Sequence, residues 1–252
     1  MKWEDLSTVE IDAVDRSVPV ILNIAAIEQH GPHLPLNTDA VIGALFLNRL
    51  DAADPQAQLI LPQVKVCCSD HHMDFPGTLS VRHVVLHDYV LGILGSAASA
   101  GFTKFLILNS HGGNQGIGQI VTERFGFENP TCDIALVTWW SLVRADLRDL
   151  SDSGAFGTGH ACEFETSLIM FAQGDRAMPD IPPGEHHVRS HAWADGSMLH
   201  PPRGHLYRSM KAMSGGSGVV GQPDAATADK GARICDLVVA ALAQVVADLR
   251  GG

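Results

Sequence analysis

The chain has 252 residues, 46% of them hydrophobic, enough for one sizeable α/β domain (residues 1–252) with a proper core. Its 17 Lys and Arg against 28 Asp and Glu give a formal charge of −11. That argues against a nucleic-acid backbone or an anionic membrane surface as partner, since both need clustered cations, and favours a small-molecule partner. The start Met1-Lys2-Trp3-Glu4-Asp5 lacks the basic residues and apolar core of a signal peptide, and no apolar run reaches the ~20 residues that span a bilayer. The expected location is cytoplasmic. Five cysteines without paired C-x-x-C spacing indicate neither a disulfide framework nor a zinc finger, whereas thirteen histidines are an unusual supply of metal-ligating side chains.

In chain order, Leu6 to Val14 reads as a short amphipathic helix and the apolar run Val18 to Ile27 as a strand covered on both faces. The strand empties into Glu28-Gln29-His30-Gly31-Pro32-His33-Leu34-Pro35-Leu36-Asn37-Thr38-Asp39, the kind of strand-end loop where α/β folds place chemistry. Glu28 and His30, two apart on extended chain, point to one side, and the Pro- and Gly-bearing loop returns Asp39 toward them. Two carboxylates and an imidazole suit zinc, manganese or iron. A helix over Ala40 to Leu50 follows, with Thr38 or Asp39 available as its N-cap.

Leu59 to Val66 is a second apolar run, ending in Cys67-Cys68-Ser69-Asp70-His71-His72. There, His72 is expected as a substrate-pocket residue. His87 to Ala100 forms a helix closed by Gly101, Lys104 to Leu108 a buried strand, and Asn109-Ser110-His111-Gly112-Gly113-Asn114 a turn that offers His111 as a metal ligand. A phosphate-cradling loop is the rival reading there, disfavoured because the G-x-x-x-x-G-K-[ST] pattern and its lysine are absent. A helix over Gly116 to Phe125 and a strand over Ile134 to Thr138 lead to Trp139 and Trp140, of which one can wall a pocket at the strand end.

In Gly159-His160-Ala161-Cys162-Glu163-Phe164-Glu165, helical spacing gives His160 and Glu163 a shared face and turns Glu165 away. Glu163 is then a metal ligand or the base for water, with His160 handling protons. From Pro179 to Ser217 the chain is rich in Pro, Gly and His and is expected to act as a lid or an oligomer contact. A C-terminal helix over Ala225 to Leu249 closes the domain.

Taken together, Glu28-Gln29-His30-Gly31-Pro32-His33, Asp39, Phe75-Pro76-Gly77-Thr78, Asn109-Ser110-His111-Gly112-Gly113-Asn114, Glu163-Phe164-Glu165-Thr166-Ser167 and Gly218-Val219-Val220-Gly221 resemble the creatininase family of metal-dependent amidohydrolases, in the same order along nearly the whole chain. The resemblance implies a three-layer α/β/α domain with a mostly parallel central sheet, and usually a homohexamer. It also implies two divalent metal ions (Zn, Mn or Fe) per chain. It assigns Glu28, His30, Asp39 and His111 as ligands, with Asp39 shared by both ions, His160 as catalytic histidine and Trp140 as a substrate-pocket residue. The creatinine-hydrolysing members carry a ligand glutamate at the place of Gly113 and an apolar residue at that of Glu163, so the resemblance keeps its carboxylate count if Glu163 completes the second site. That departure points away from creatinine. The expected activity is hydrolysis of a non-peptide or cyclic amide of a small molecule by a metal-activated hydroxide. Formamide deformylation and trimming of a precursor peptide, both present in the wider family, are the enzymatic alternatives. A structural metal-binding protein with a closed coordination shell is the non-enzymatic one.

Overall fold

The computed structural model describes residues 1–174 and 180–251. In chain order the regular elements are α1 (Thr8–Ala13), β1 (Val20–Ile24), α2 (Thr38–Ala53), β2 (Leu59–Ile60), α3 (His83–Ser99), β3 (Lys104–Asn109), α4 (Gln115–Glu128) and β4 (Asp133–Thr138). They continue with α5 (Trp139–Leu142), α6 (Arg144–Leu150), β5 (Thr158–His160), α7 (Glu163–Gln173), α8 (Met210–Met213), β6 (Val220–Gly221) and α9 (Ala228–Gly251). Strands β2-β1-β3-β4 form a parallel sheet, and β5 pairs antiparallel with β6 in a separate ribbon.

The five residues of β1, Val-Ile-Leu-Asn-Ile, are all buried, because the sheet is covered on both faces. On one face Ile21, Leu106 and Leu108 pack with Phe46 of α2, Leu168 of α7 and Leu242 of α9. On the other, Leu22, Phe105 and Ile107 pack with Leu94 of α3 and Phe125 of α4. This is the expected three-layer α/β/α arrangement. One polar residue interrupts β1: Asn23 donates through Nδ2 to the Leu108 carbonyl at 2.8 Å. Its amide fills the space that a side chain on Gly43 of α2 would need, so the helix lies close on the strand only because residue 43 is glycine.

Connection α2 lies on the first face and α3 and α4 on the second, so the winding reverses between β1 and β3, which are neighbours in the sheet. At such a switch point the loops leaving two adjacent strands part to opposite faces and open a crevice at their carboxyl ends. The loops here are Glu28–Asp39 after β1 and Ser110–Asn114 after β3.

Several expected boundaries shift. Only Leu59–Ile60 of the second apolar run is a strand, with Val64 adding an isolated bridge to Ile24, because Pro62 cannot supply a ladder donor. Helix α2 starts at Thr38 with Asn37 at its N-cap, which places Asp39 within the first turn. Of the segment 179–217, Pro179 lies outside the described residues. The part that is described is anchored rather than loose: Met198 and Leu199 are buried in the core, and their carbonyls accept from Arg144 at 3.0 Å and Arg148 at 3.1 Å. No helix among the described residues is long and apolar enough to cross a membrane.

Candidate metal centre

Loop geometry brings Glu28, His30, Asp39, His72, His111, His160 and Glu165 together at the switch point, all buried. Three of the four histidines have one ring nitrogen against a backbone carbonyl: His30 Nδ1 lies 3.1 Å from Glu28 O, His111 Nε2 3.0 Å from Cys68 O, and His160 Nε2 2.7 Å from Gln29 O. A carbonyl only accepts, so each of these nitrogens carries the proton. In the neutral ring the opposite nitrogen then presents a lone pair, the orientation a metal-ligating histidine needs.

Those opposite nitrogens face carboxylates. His111 Nδ1 stands 3.2 Å from Glu28 Oε1 and 3.1 Å from Asp39 Oδ2, while His30 Nε2 stands 3.2 Å from Asp39 Oδ1 and 3.9 Å from Glu165 Oε1. His160 Nδ1 is 3.7 Å from Glu28 Oε1. Lone pairs against carboxylate oxygens repel unless a cation lies between them. Glu28 Oε2, His30 Nε2, Asp39 Oδ2 and Glu165 Oε2 are buried without a well-formed hydrogen bond to any of the described residues, a state that is costly in a dry interior. The donor set and its orphaned atoms therefore fit divalent metal. One group comprises Glu28, Asp39 and His111, another His30, His160 and Glu165, and a third Glu28, His72 and His160.

The protonation states say the same. Burial alone would strip His30 of its proton, but Asp39, Glu165 and Glu28 together hold it up at about 9. His111 is likewise pushed against its burial and raised by Glu28 and Asp39. Burial raises Glu165 to about 7 against the pull of His30. His160 and His72 go the other way, held neutral by burial and by neighbouring imidazoles. A carboxylate-rich pocket that captures protons on two histidines is short of positive charge.

The structure corrects the expectation for Glu163. His160 belongs to strand β5 and the helix begins only at Glu163, so the helical spacing assumed between them does not exist. The Glu163 carboxylate turns away from the cluster to Lys230 of α9, with further donation from the Asp152 backbone N–H at 2.9 Å, the Ser151 hydroxyl at 3.1 Å and the Ser153 side chain. Glu165, one position beyond the next, is the carboxylate that reaches His30. Sequence spacing offered no signal for this choice, because the partner that withdraws Glu163 lies 67 residues away.

His72 is in the cluster itself, 3.3 Å from Glu28 Oε1, rather than in an adjoining pocket. Trp140 is buried and walls a cavity of about 570 Å³ shared with Thr138, Gln115 and Arg144, which none of the clustered residues lines. Gly113 is packed under the His71 ring, the Cys68 carbonyl and His111 Nε2, which together fill the place of any Cβ there. The loop Cys67–His72 has thus closed over the space a longer side chain would take.

The family model described as creatinine amidohydrolase matches residues 3–246. The mycofactocin precursor peptide peptidase of Mycobacterium tuberculosis (strain CDC 1551 / Oshkosh) is 30% identical over 233 residues, covering 86% of this chain and 80% of that protein. Among solved structures, a zinc–zinc form of a creatininase variant superposes with a TM-score of 0.80 at 19% identity, covering 98% of this chain and 97% of that one. A manganese form of creatininase gives 0.75 at 21% identity, with 98% and 97% covered. The chain belongs to the creatininase family of amidohydrolases.

Proposed function

We propose that the chain is a metal-dependent amidohydrolase cleaving a non-peptide or cyclic amide C–N bond of a small molecule. The observation that carries the reading is the division of Asp39: Oδ2 faces His111 beside Glu28, and Oδ1 faces His30 beside Glu165. A carboxylate with one oxygen in each of two ligand groups suits two divalent ions of the zinc, manganese or iron type, with Glu28, Asp39 and His111 holding one and His30, Asp39 and Glu165 the other. Bound there, the ions would lower the pKa of water toward ~7 and polarise the amide carbonyl.

The chain's own residues supply the remainder. His160 is neutral, and the Gln29 carbonyl fixes its proton on Nε2. Its Nδ1, turned toward the cluster, takes a proton from the nucleophilic water and returns it to the departing nitrogen, a transfer worth roughly 10²–10⁴-fold. Burial keeps bulk water from competing and strengthens each of these interactions. With every clustered residue buried, the scissile bond is offered on a small molecule or at a chain end.

A second reading, a peptidase acting near the end of a small peptide, is favoured by the 30% identity to the mycofactocin precursor peptidase over most of the chain. A panel of cyclic amides, formamides and short peptides, assayed on protein of measured metal content, separates the two. Turnover of peptides alone would replace the first reading with the second. Protein that takes up neither zinc nor manganese would overturn both. The reading also includes a single cytoplasmic domain assembled as a homohexamer, which sedimentation velocity and localisation of the tagged chain test.

A further inference from the structure

Gln29 lies between the two ligand residues Glu28 and His30, and its side-chain amide is oriented without ambiguity. Its Oε1 accepts from the Gly31 backbone N–H at 3.0 Å, so the other branch is the NH₂ group. That nitrogen stands 2.9 Å from His72 Nδ1 and 3.1 Å from His160 Nε2. The His160 nitrogen has the shorter contact, 2.7 Å, to the Gln29 carbonyl that takes its proton, which leaves His72 Nδ1 as the acceptor for the amide. An amide NH₂ only donates, so His72 Nδ1 is an acceptor and the neutral ring carries its proton on Nε2. Nε2 is the atom 3.3 Å from Glu28 Oε1.

His72 thereby differs from its three neighbours. In His30, His111 and His160 a carbonyl holds the proton on the far side, so in the neutral ring a lone pair faces the carboxylates. In His72 an amide donor reverses the order. We propose that Gln29 is a positioning residue that fixes this tautomer, making His72 a proton-bearing support for the Glu28 carboxylate rather than a metal ligand. The metal-linked consequence rests on the two-metal reading above; the tautomer itself does not. A group that holds a ligating carboxylate from outside the coordination shell commonly contributes 10–100-fold to metal affinity. The same glutamine also offers its main-chain carbonyl to His160, so one residue sets the proton positions of both rings on this side of the cluster.

Two measurements test this. Solid-state ¹⁵N spectra of histidine-labelled, metal-free protein, with the His72 signals identified by their loss in His72→Phe, read the tautomer directly. The expected result is a protonated Nε2 in the wild type and a protonated Nδ1 in Gln29→Glu, which keeps the acceptor for Gly31 but presents an acceptor to His72. A wild-type His72 protonated on Nδ1, or one unmoved by Gln29→Glu, would overturn the proposal. Competition against a zinc-chelating dye then reads the consequence. Gln29→Met and His72→Phe should each weaken zinc binding about 10–100-fold without lowering the number of sites, and the double variant should be no weaker than the worse single one. Loss of a whole zinc equivalent in His72→Phe would make His72 a ligand, and additive losses would show that Gln29 does not act through it; either overturns the proposal. A wild type that binds no zinc or manganese would sink the two-metal reading alone, since the spectra still decide the tautomer.

Discussion

Glu163 of α7 and Lys230 of α9 form an ion pair in the interior, where the ammonium also donates to Asp152 at 2.7 Å and to the Ala225 carbonyl at 2.9 Å. The pair ties the loop before β5 to the first turns of two helices that pack along one another, and so fixes the strand that carries His160. Removing one member of a buried pair leaves the other uncompensated, at a cost of about 3–5 kcal/mol. Lys230→Met is expected to lower the thermal midpoint by roughly 10 °C, at about 2–4 °C per kcal/mol for a chain of this size, without changing metal content. Calorimetry beside elemental analysis checks it, and a lost metal equivalent would return Glu163 to the ligand set.

Glu165 carries the opposite expectation. With Oε1 3.9 Å from His30 Nε2 and Oε2 orphaned, its carboxylate has no structural partner comparable to Lys230 among the described residues. On the two-metal reading proposed above, Glu165→Gln should reduce the metal content after dialysis from two ions per chain toward one, whereas Glu163→Gln should leave it at two. Elemental analysis of the two variants side by side decides between the carboxylates, and equal losses in both would refute the assignment.

The contrast shows where sequence reasoning succeeds and where it stops. Glu28, His30, Asp39 and His111 were legible because each follows a strand or opens a helix, and local rules place such residues at one sheet edge. The strand boundaries drifted by a few residues without affecting that placement. Glu163 and Glu165 are different, since two acids at i and i+2 of a helix differ in face by about half a turn. Which of them turns inward depends on where the helix begins and on a lysine from the far end of the chain. His72 was recognisable as a loop histidine near chemistry, but its role depends on a glutamine amide that only the fold brings to it. Trp140 was expected to wall a substrate pocket; the cavity it does wall is built by residues from α4, α6 and the segment around Pro201, brought there by the fold and apart from the clustered residues.

Gly113 offers a direct probe of the crowded side of the centre. A side chain there overlaps the Cys68 carbonyl and the His111 Nε2 that donates to it, and it approaches His71 Cε1 at 2.8 Å. Gly113→Ala is therefore expected to displace His111 and to weaken metal binding at the Glu28, Asp39 and His111 group. Gly113→Glu should be worse rather than better, because the loop Cys67–His72 occupies the space a ligand side chain at this position would need. Metal titration of both variants checks this, and a Gly113→Glu protein that binds metal more tightly than the wild type would contradict the packing argument.

Stability of the metal-free protein should depend on pH in both directions. His30 is raised to about 9 in the folded chain against an ordinary value near 6.5, so its folded form binds the proton more tightly. That contribution is fully present below about 6.5 and is lost as pH rises through about 9. At roughly 1.4 kcal/mol per pH unit, it amounts to about 3 kcal/mol. His33 and His71 are lowered to about 4, chiefly by burial, so their folded forms resist protonation, and stability falls as pH drops from about 6.5 toward 4. The expected profile is a maximum near neutrality with losses on both sides. Metal should abolish the alkaline loss alone, because the ion takes the place of the proton that His30 otherwise holds between the carboxylates. Chemical denaturation of metal-free and zinc-loaded protein across pH 5–9.5 measures both limbs, and an alkaline loss of the same size in the zinc-loaded protein would mean that no ion is held at His30.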